Sequence, residues 1–385
     1  ALPSGRGGIF SVFVNNDGNF NEIKAGITYH DQTGVLIYPS SSGPEILVGH
    51  SNFESDIREK SFIQGYKLEG KSLVTTRRIS TNFSSLGALC MADVDSDGDL
   101  DLFAGGRSIP GRYPKPASSM LFVNENGIFV PDSINNVNLA DIGLITGAIF
   151  SDIDSDKDPD LILAMEWGPV TIFENSKGVF TNTTEQFGLS DHLGWWNGVA
   201  TGDFNEDGQI DIVATNWGLN TKYHASKEHP LELYYDDFDG NGSLDIVEGH
   251  WDEGMGALVP ERGFSCLSNG INYVSKTTPT FAEFGDSDLR EIIGPALQGA
   301  PRVRATVLEH MLFLNNGTGF DNFALPIEAQ FSPAFGAVVA DMDSDGHDDV
   351  FLSQNFFAYQ VETSRSDAGR GLWLRGDGGG DLRAI

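Results

Sequence analysis

Asp93-Val94-Asp95-Ser96-Asp97-Gly98-Asp99-Leu100-Asp101 is the stretch on which the fold turns. Aspartates hold positions 1, 3, 5, 7 and 9 of this loop, and glycine holds position 6. Two carboxylates about 4 Å apart repel by roughly 4 kcal/mol at an effective dielectric near 20, so a turn this acidic needs a cation. Alternating oxygen donors suit Ca²⁺, which takes about 6–8 of them, and a glycine at position 6 makes the bend. Asp93, Asp95, Asp97 and Asp101 are expected to bind through their side chains and Asp99 through its carbonyl.

The pattern returns four times. Asp152, Asp154, Asp156, Asp158 and Asp160 form the second loop, with Lys157 in the glycine slot. Asp203, Asn205, Asp207, Gln209 and Asp211 form the third; Asp237, Asp239, Asn241, Ser243 and Asp245 form the fourth. Asp341, Asp343, Asp345, His347 and Asp349 form the fifth, where His347 donates only its carbonyl. An EF-hand would need a bidentate glutamate at position 12. That position holds Ala104, Leu163, Ala214, Glu248 and Leu352, and each loop instead runs into a short apolar stretch. These are strand-loop-strand sites, five structural Ca²⁺ positions in all.

Composition points the same way. The 385 residues carry a formal charge of −31, which excludes nucleic acid and anionic membrane as partners, since both need a basic face. Five bound Ca²⁺ would return about +10 of that charge. Forty-six glycines and 26 phenylalanines favour short strands joined by tight turns. No run approaches the ~18 apolar residues of a membrane span. Residues 1–5 lack the basic and apolar regions of a signal peptide, so one was removed or the chain is a fragment. Oxygen-only calcium loops fill best outside the cell, which places the protein as secreted, periplasmic or at the cell surface. Cys90 reads as a small buried hydrophobe, and no pairing with Cys266 follows from the sequence.

A second module alternates with the loops. Hairpins with Asn/Gly turns are expected over 9–23, 120–130, 170–180, 311–320 and 372–378. Loop plus hairpin makes four antiparallel strands, and first aspartates 59, 51 and 34 residues apart (93, 152, 203, 237) predict propeller blades. The segment 34–50 reads as a blade whose loop lost its carboxylates. The expected fold is all-β: one β-propeller over residues 1–385 with four-stranded blades, seven in number, one incomplete. An insertion at 251–306 is expected to hold a short helix near 287–293, with Asp286 and Asp288 at its positive end.

These loops, preceded by small-residue strands such as Phe335-Gly336-Ala337-Val338-Val339-Ala340, resemble FG-GAP/VCBS repeats, the blades of integrin α-subunit propellers. Four further stretches are similar to bacterial cartilage-acidic-protein-like (ASPIC/UnbV) proteins: 105–114, Gly194-Trp195-Trp196-Asn197, 216–223 and 328–333. The resemblance spans nearly the entire chain. It implies a seven-bladed, calcium-stabilised extracellular propeller with no catalytic role.

Candidate ligand residues lie elsewhere. Trp195, Trp196, Asn197, Asn216, Trp217, Asn220 and Tyr223 are expected to gather on one rim, and Arg107, Arg112 and Tyr113 offer an anion site or ion pairs. No serine or cysteine sits in a nucleophile elbow, and no histidine pair has zinc-ligand spacing. Asn82, Asn182, Asn241 and Asn316 head glycosylation sequons. The function expected is binding of a protein or polysaccharide without catalysis. The alternative is a polysaccharide lyase or glycoside hydrolase, for which Glu166, Glu248 and Asp252 are the carboxylates left over from the loops.

Overall fold

The computed structural model describes residues 1–55, 59–357, 363 and 365–385. Strands β1 (Ile9–Asn16) and β2 (Asn19–Ile27) meet at the Asp17-Gly18 turn and form the two-stranded sheet I. Sheet II joins β3 (Gln32–Ser40), β4 (Gly43–His50), β5 (Phe62–Glu69) and β6 (Ser72–Ser80) in chain order. Sheet III is β7 (Ser85–Ala92), β8 (Asp101–Ser108), β9 (Met120–Glu125) and β10 (Ile128–Pro131). The helix α1 (Asn135–Asn138) leads to sheet IV: β11 (Leu144–Ser151), β12 (Asp160–Gly168), β13 (Thr171–Ser176) and β14 (Val179–Asn182), with the short β15 (Gly194–Trp195) added to β12. All pairings within these sheets are antiparallel.

Sheet V opens with β16 (Gly198–Gly202) and β17 (Asp211–Thr215), and there the chain departs. Residues 216–310 build β18 (Leu231–Asp236), β19 (Asp245–Asp252) and β20 (Ala257–Pro260). Helices α2 (Phe264–Gly270), α3 (Val274–Thr277), α4 (Phe281–Gly285) and α5 (Leu289–Ile293) follow, and then β21 (Arg302–Ala305). These four strands form sheet VI in the order β20-β19-β18-β21. The return strand β22 (Met311–Asn315) pairs with β17, and β23 (Phe320–Ala324) completes sheet V. Sheet VII is β24 (Ala334–Ala340), β25 (Asp349–Gln354), β26 (Leu372–Gly376) and β27 (Leu382–Ala384).

Two expectations change here. The fourth acidic loop joins β18 to β19, inside sheet VI, so it does not mark a consecutive blade, and six sheets rather than seven follow one another. The 34-residue spacing from Asp203 to Asp237 was the sign: it is too short for four strands with their turns. The insertion is also wider than 251–306. It holds four short helices, of which α5 begins where Asp288 accepts the Glu291 amide (2.8 Å) in a capping box.

Side-chain alternation stacks the consecutive sheets face to face. Along β12, Leu161, Leu163 and Met165 enter one cluster with Phe103 and Leu121 of sheet III. Ile162 and Ala164, pointing the other way, enter a second with Ile212, Ala214 and Phe313 of sheet V. Val213 then meets Val350, Leu352 and Leu374 of sheet VII, while Leu102 and Ala104 meet Leu47 and Ile63 of sheet II. Strands buried on both faces read as unbroken apolar runs, as Leu161-Ile162-Leu163-Ala164 does. The stack ends at sheets I and VII, where Phe20 is 66 % and Phe351 42 % exposed. Cys90 is buried, Cys266 exposed, and both are free thiols.

Candidate functional site

Each acidic loop joins the first strand of a sheet to the second, and all five share one geometry. Position 6 has positive φ throughout: Gly98 (97°), Lys157 (81°), Gly208 (84°), Gly242 (87°) and Gly346 (97°). Lys157 therefore takes the left-handed turn that glycine makes without strain. Position 4 is left-handed as well, at Ser96, Ser155, Glu206, Gly240 and Ser344, a requirement the sequence pattern did not suggest. These two bends turn the position-6 amide onto the first aspartate: Gly98 donates to Asp93 Oδ2 (3.0 Å) and Lys157 to Asp152 Oδ2 (3.0 Å).

Carboxylates from positions 1, 3 and 9 then converge. Asp93, Asp95 and Asp101 place ligand oxygens within 4.8 Å of one another. So do Asp152, Asp154 and Asp160; Asp237, Asp239 and Asp245; and Asp341, Asp343 and Asp349. In the third loop Asn205 replaces the position-3 carboxylate, leaving Asp203 and Asp211 as the charged pair. The position-5 groups Asp97, Asp156, Asp207, Asn241 and Asp345 stand outside these triads, and Asp345 pairs with Arg375 (2.6 Å). Position 7, with Asp99, Asp158, Gln209, Ser243 and His347, contributes no side chain to a triad. His347 instead contacts Glu206 at 2.5 Å. Asp152 Oδ1 is buried without a hydrogen-bond partner, an atom that a bound cation would satisfy. Burial pushes the carboxyls of Asp101 and Asp211 up to about 6 and that of Asp160 to about 7, a cost that a cation would remove. The donor chemistry fits a hard metal ion.

The ninth aspartate has a second task. Asp160 Oδ2 accepts the Ile153 amide (2.8 Å) and its Oδ1 accepts the Asn175 amide (2.7 Å), so one side chain ties the loop to the third strand. Asp101 does the same for Val94 and Asn124, Asp211 for Phe204 and Asn315, and Asp349 for Met342 and Gly376. The asparagine carries the tie onward. Asn175 Nδ2 donates to Val94 O in the loop of sheet III (2.8 Å), and Asn315 Nδ2 donates to Ile153 O in that of sheet IV (2.8 Å). Sheet VII has glycine at this position, and the Gly380 amide makes the corresponding bond to Phe204 O (2.9 Å).

A cavity of about 350 Å³ lies at the other end of the second strands. Asp160 and Glu166 are six residues apart on β12, roughly 20 Å at the strand rise. Arg107, Glu166 and Trp217 each follow the first aspartate of their loop by fourteen residues (107 − 93, 166 − 152, 217 − 203), and Trp167 and Phe356 by fifteen. Tyr113, Trp195, Asn197, Phe335, Thr363 and, from the excursion, Tyr223, Glu248 and Arg262 complete the lining. Glu166 accepts the Tyr113 hydroxyl (2.6 Å) and pairs with Arg107; Trp167 Nε1 donates to the Tyr113 hydroxyl oxygen (2.7 Å). Burial, then the Glu166 carboxylate, raises the Tyr113 phenol well above its ordinary value. Arg262 Nε donates to Glu248 Oε2 (2.8 Å), whose carboxyl burial nonetheless raises. Trp195 stands edge-on to Trp167, Trp217 and Tyr223 with centroids 4.8–5.2 Å away.

Six of the ten expected rim residues thus meet here: Arg107, Tyr113, Trp195, Asn197, Trp217 and Tyr223. Trp196 does not, being fully buried with its Nε1 on His192 O (3.1 Å). Asn216 is a buried bolt: its Oδ1 accepts the Trp195 and Trp217 amides, and its own amide donates to His310 Nδ1 (2.7 Å). Asn220 ties down Phe331 O (3.0 Å), and Arg112 is exposed away from the cavity. Asp252 closes a turn onto the Met255 amide (2.7 Å). Trp167, Arg262, Phe335 and Phe356 were missed. The fourteen-to-fifteen-residue offset would have found Trp167 and Phe356.

Residues 152–214, spanning the second and third loops, match the FG-GAP-like repeat family. Among individual proteins, 76 residues are 38% identical to cartilage acidic protein 1 of Mus musculus, over 20% of this chain and 11% of that protein. The chain thus spans about a tenth of the curated relative it matches. A crystal structure of a protein from Lactobacillus plantarum is similar over 95% of this chain and 87% of its own, at 7% identity and a TM-score of 0.37.

Proposed function

We propose that this chain is a β-propeller binding module, stabilised by Ca²⁺ in its acidic loops, that binds a protein or polysaccharide outside the cell. In this reading it is akin to the cartilage-acidic-protein-like group. Consecutive antiparallel sheets packed face to face support a propeller-like arrangement. The ion would be held by the carboxylates at positions 1, 3 and 9, and it supplies charge neutralisation for the loops. Ligand binding belongs to the cavity about 20 Å away. One observation carries that reading: Trp195, 7 % exposed, has its Nε1 buried at the cavity with no partner. A buried unpaired donor costs about 1–3 kcal/mol, and a ligand oxygen would remove the cost. Among the described residues no helix is long and apolar enough to cross a membrane.

The enzyme reading has its own observation, because Glu166 and Glu248 line the same cavity. Each is already held in an ion pair by an arginine, so neither carboxylate is free to act on a substrate. Binding is therefore the first reading. An array of glycans and extracellular proteins, run with and without Ca²⁺, tests it: saturable binding without product release is expected. Cleaved glycan would establish the enzyme, and no binding in Ca²⁺ would overturn the module.

A further inference from the structure

The cavity's hydrogen bonds show what kind of guest it lacks. Trp167 Nε1 and the Tyr113 hydroxyl are engaged with each other and with Glu166, and Arg107 is committed to the same carboxylate. Arg262 uses its Nε on Glu248. Among the described lining residues, Trp195 Nε1 and Arg262 Nη1 are buried atoms without an acceptor. The guest must therefore bring oxygen acceptors.

Charge decides which oxygens. The lining holds two arginines and two glutamates, already paired one to one. A guest carboxylate at Arg262 would sit beside Glu248, adding a second negative charge where the first is poorly solvated. It would also approach a protein of formal charge −31, about −21 with five Ca²⁺ bound, against a repulsive field. A hydroxyl meets neither obstacle, since it accepts from one side and donates from the other, and Glu248 is at hand to receive its proton. The indole and phenol rings of Trp167, Trp217 and Tyr223 supply apolar surface for the C–H face of a ring. A volume near 350 Å³ lies at the small end of ligand pockets, about 300–1,000 Å³.

We infer that the cavity takes a neutral polyhydroxylated ring, a hexose unit of a glycan. Its hydroxyl oxygens accept from Trp195 Nε1 and Arg262 Nη1, and one hydroxyl donates to Glu248. The inference rests on the cavity being the binding site, and it sets aside the anion site that Arg107, Arg112 and Tyr113 offered in the sequence.

The test titrates the full chain in Ca²⁺ with methyl hexosides, the matching methyl hexuronates and their disaccharides, by calorimetry and tryptophan emission. At least one neutral sugar is expected to bind saturably and shift the emission, with its hexuronate counterpart at least tenfold weaker. Trp195→Phe keeps the ring edge and deletes the donor, and it is expected to weaken the neutral sugar about tenfold at an unchanged melting temperature. Should that variant not fold, Arg262→Gln serves, with the same expected loss. A hexuronate binding tighter than its hexoside, no hexoside binding, or full affinity in both variants would each overturn the inference. If a protein ligand binds and Trp195→Phe blocks it, the sugar assignment falls and the cavity stands. If a ligand binds indifferently to both variants, the cavity reading itself falls.

Discussion

Asp160→Ala is expected to lower the unfolding free energy by about 3–5 kcal/mol, as large a loss as any single change in the loops. The side chain is fully buried and accepts two amides, Ile153 and Asn175, that no other group reaches. Alanine leaves both unpaired, at about 1–3 kcal/mol each. Urea unfolding separates this from the metal. The hydrogen-bond loss persists in EDTA, and under the calcium proposal a further loss shows in Ca²⁺. Asp343→Ala differs, since its carboxylate clamps no buried amide and meets only the part-exposed Arg375 of β26 (2.7 Å): a small cost should remain in EDTA and the larger one should show in Ca²⁺. Neither variant should alter ligand affinity, because the cavity is a strand's length away. An Asp160→Ala protein as stable as its parent in both buffers would contradict the clamp.

Acid gives the second large effect. His310 is fully buried, accepting from the Asn216 amide at Nδ1 and donating from Nε2 to Ser332 O (3.0 Å), and burial pushes its pKa down to about 4. His50 is pushed to about 4 as well, first by burial and then by His30 and Arg78. For both, the folded pKa lies below the ordinary 6.5, so their contribution is complete above pH 6.5 and is lost as pH falls toward 4. That amounts to on the order of 3 kcal/mol each. Asp101, Asp160 and Asp211 act oppositely when no metal is bound. Their folded pKa values of about 6 to 7 lie above the ordinary 3.8, so they stabilise fully below pH 3.8 and lose that contribution as pH rises past 6 to 7. With Ca²⁺ holding these carboxylates ionised, acidification from pH 7 to 4 should destabilise the protein steeply. In EDTA the two groups offset and the profile should be flatter. Parallel profiles in the two buffers would contradict this assignment, and His310→Gln should make the Ca²⁺ profile shallower.

What the sequence disclosed follows from how local each signal is. Carboxylates at 1, 3, 5 and 9 are a short-range demand, so all five loops could be read directly, Lys157 included. The ninth aspartate's clamp could not, because its partner Asn175 lies fifteen residues on and looks like an ordinary turn asparagine. The pairing of β17 with β22 spans almost a hundred residues, so the excursion was seen only as an odd spacing. The rim failed differently. Trp195 and Trp196 are neighbours, and adjacent side chains near a strand point to opposite faces; composition cannot tell which one meets ligand. Arginines could be listed as candidates, but that Arg107 and Arg262 pair with Glu166 and Glu248 emerges only when sheets III, IV and VI bring them together.

Scanning calorimetry of the full chain in millimolar Ca²⁺ and in excess EDTA tests the central claim most directly. A site filled at a hundred times its Kd adds about 2.7 kcal/mol to the folded state, and several such sites acting on a protein of this size should raise the melting temperature by about 15 °C. That rise, reversed by EDTA and restored by Ca²⁺, is the predicted result; superimposable melting curves in the two buffers would contradict the account.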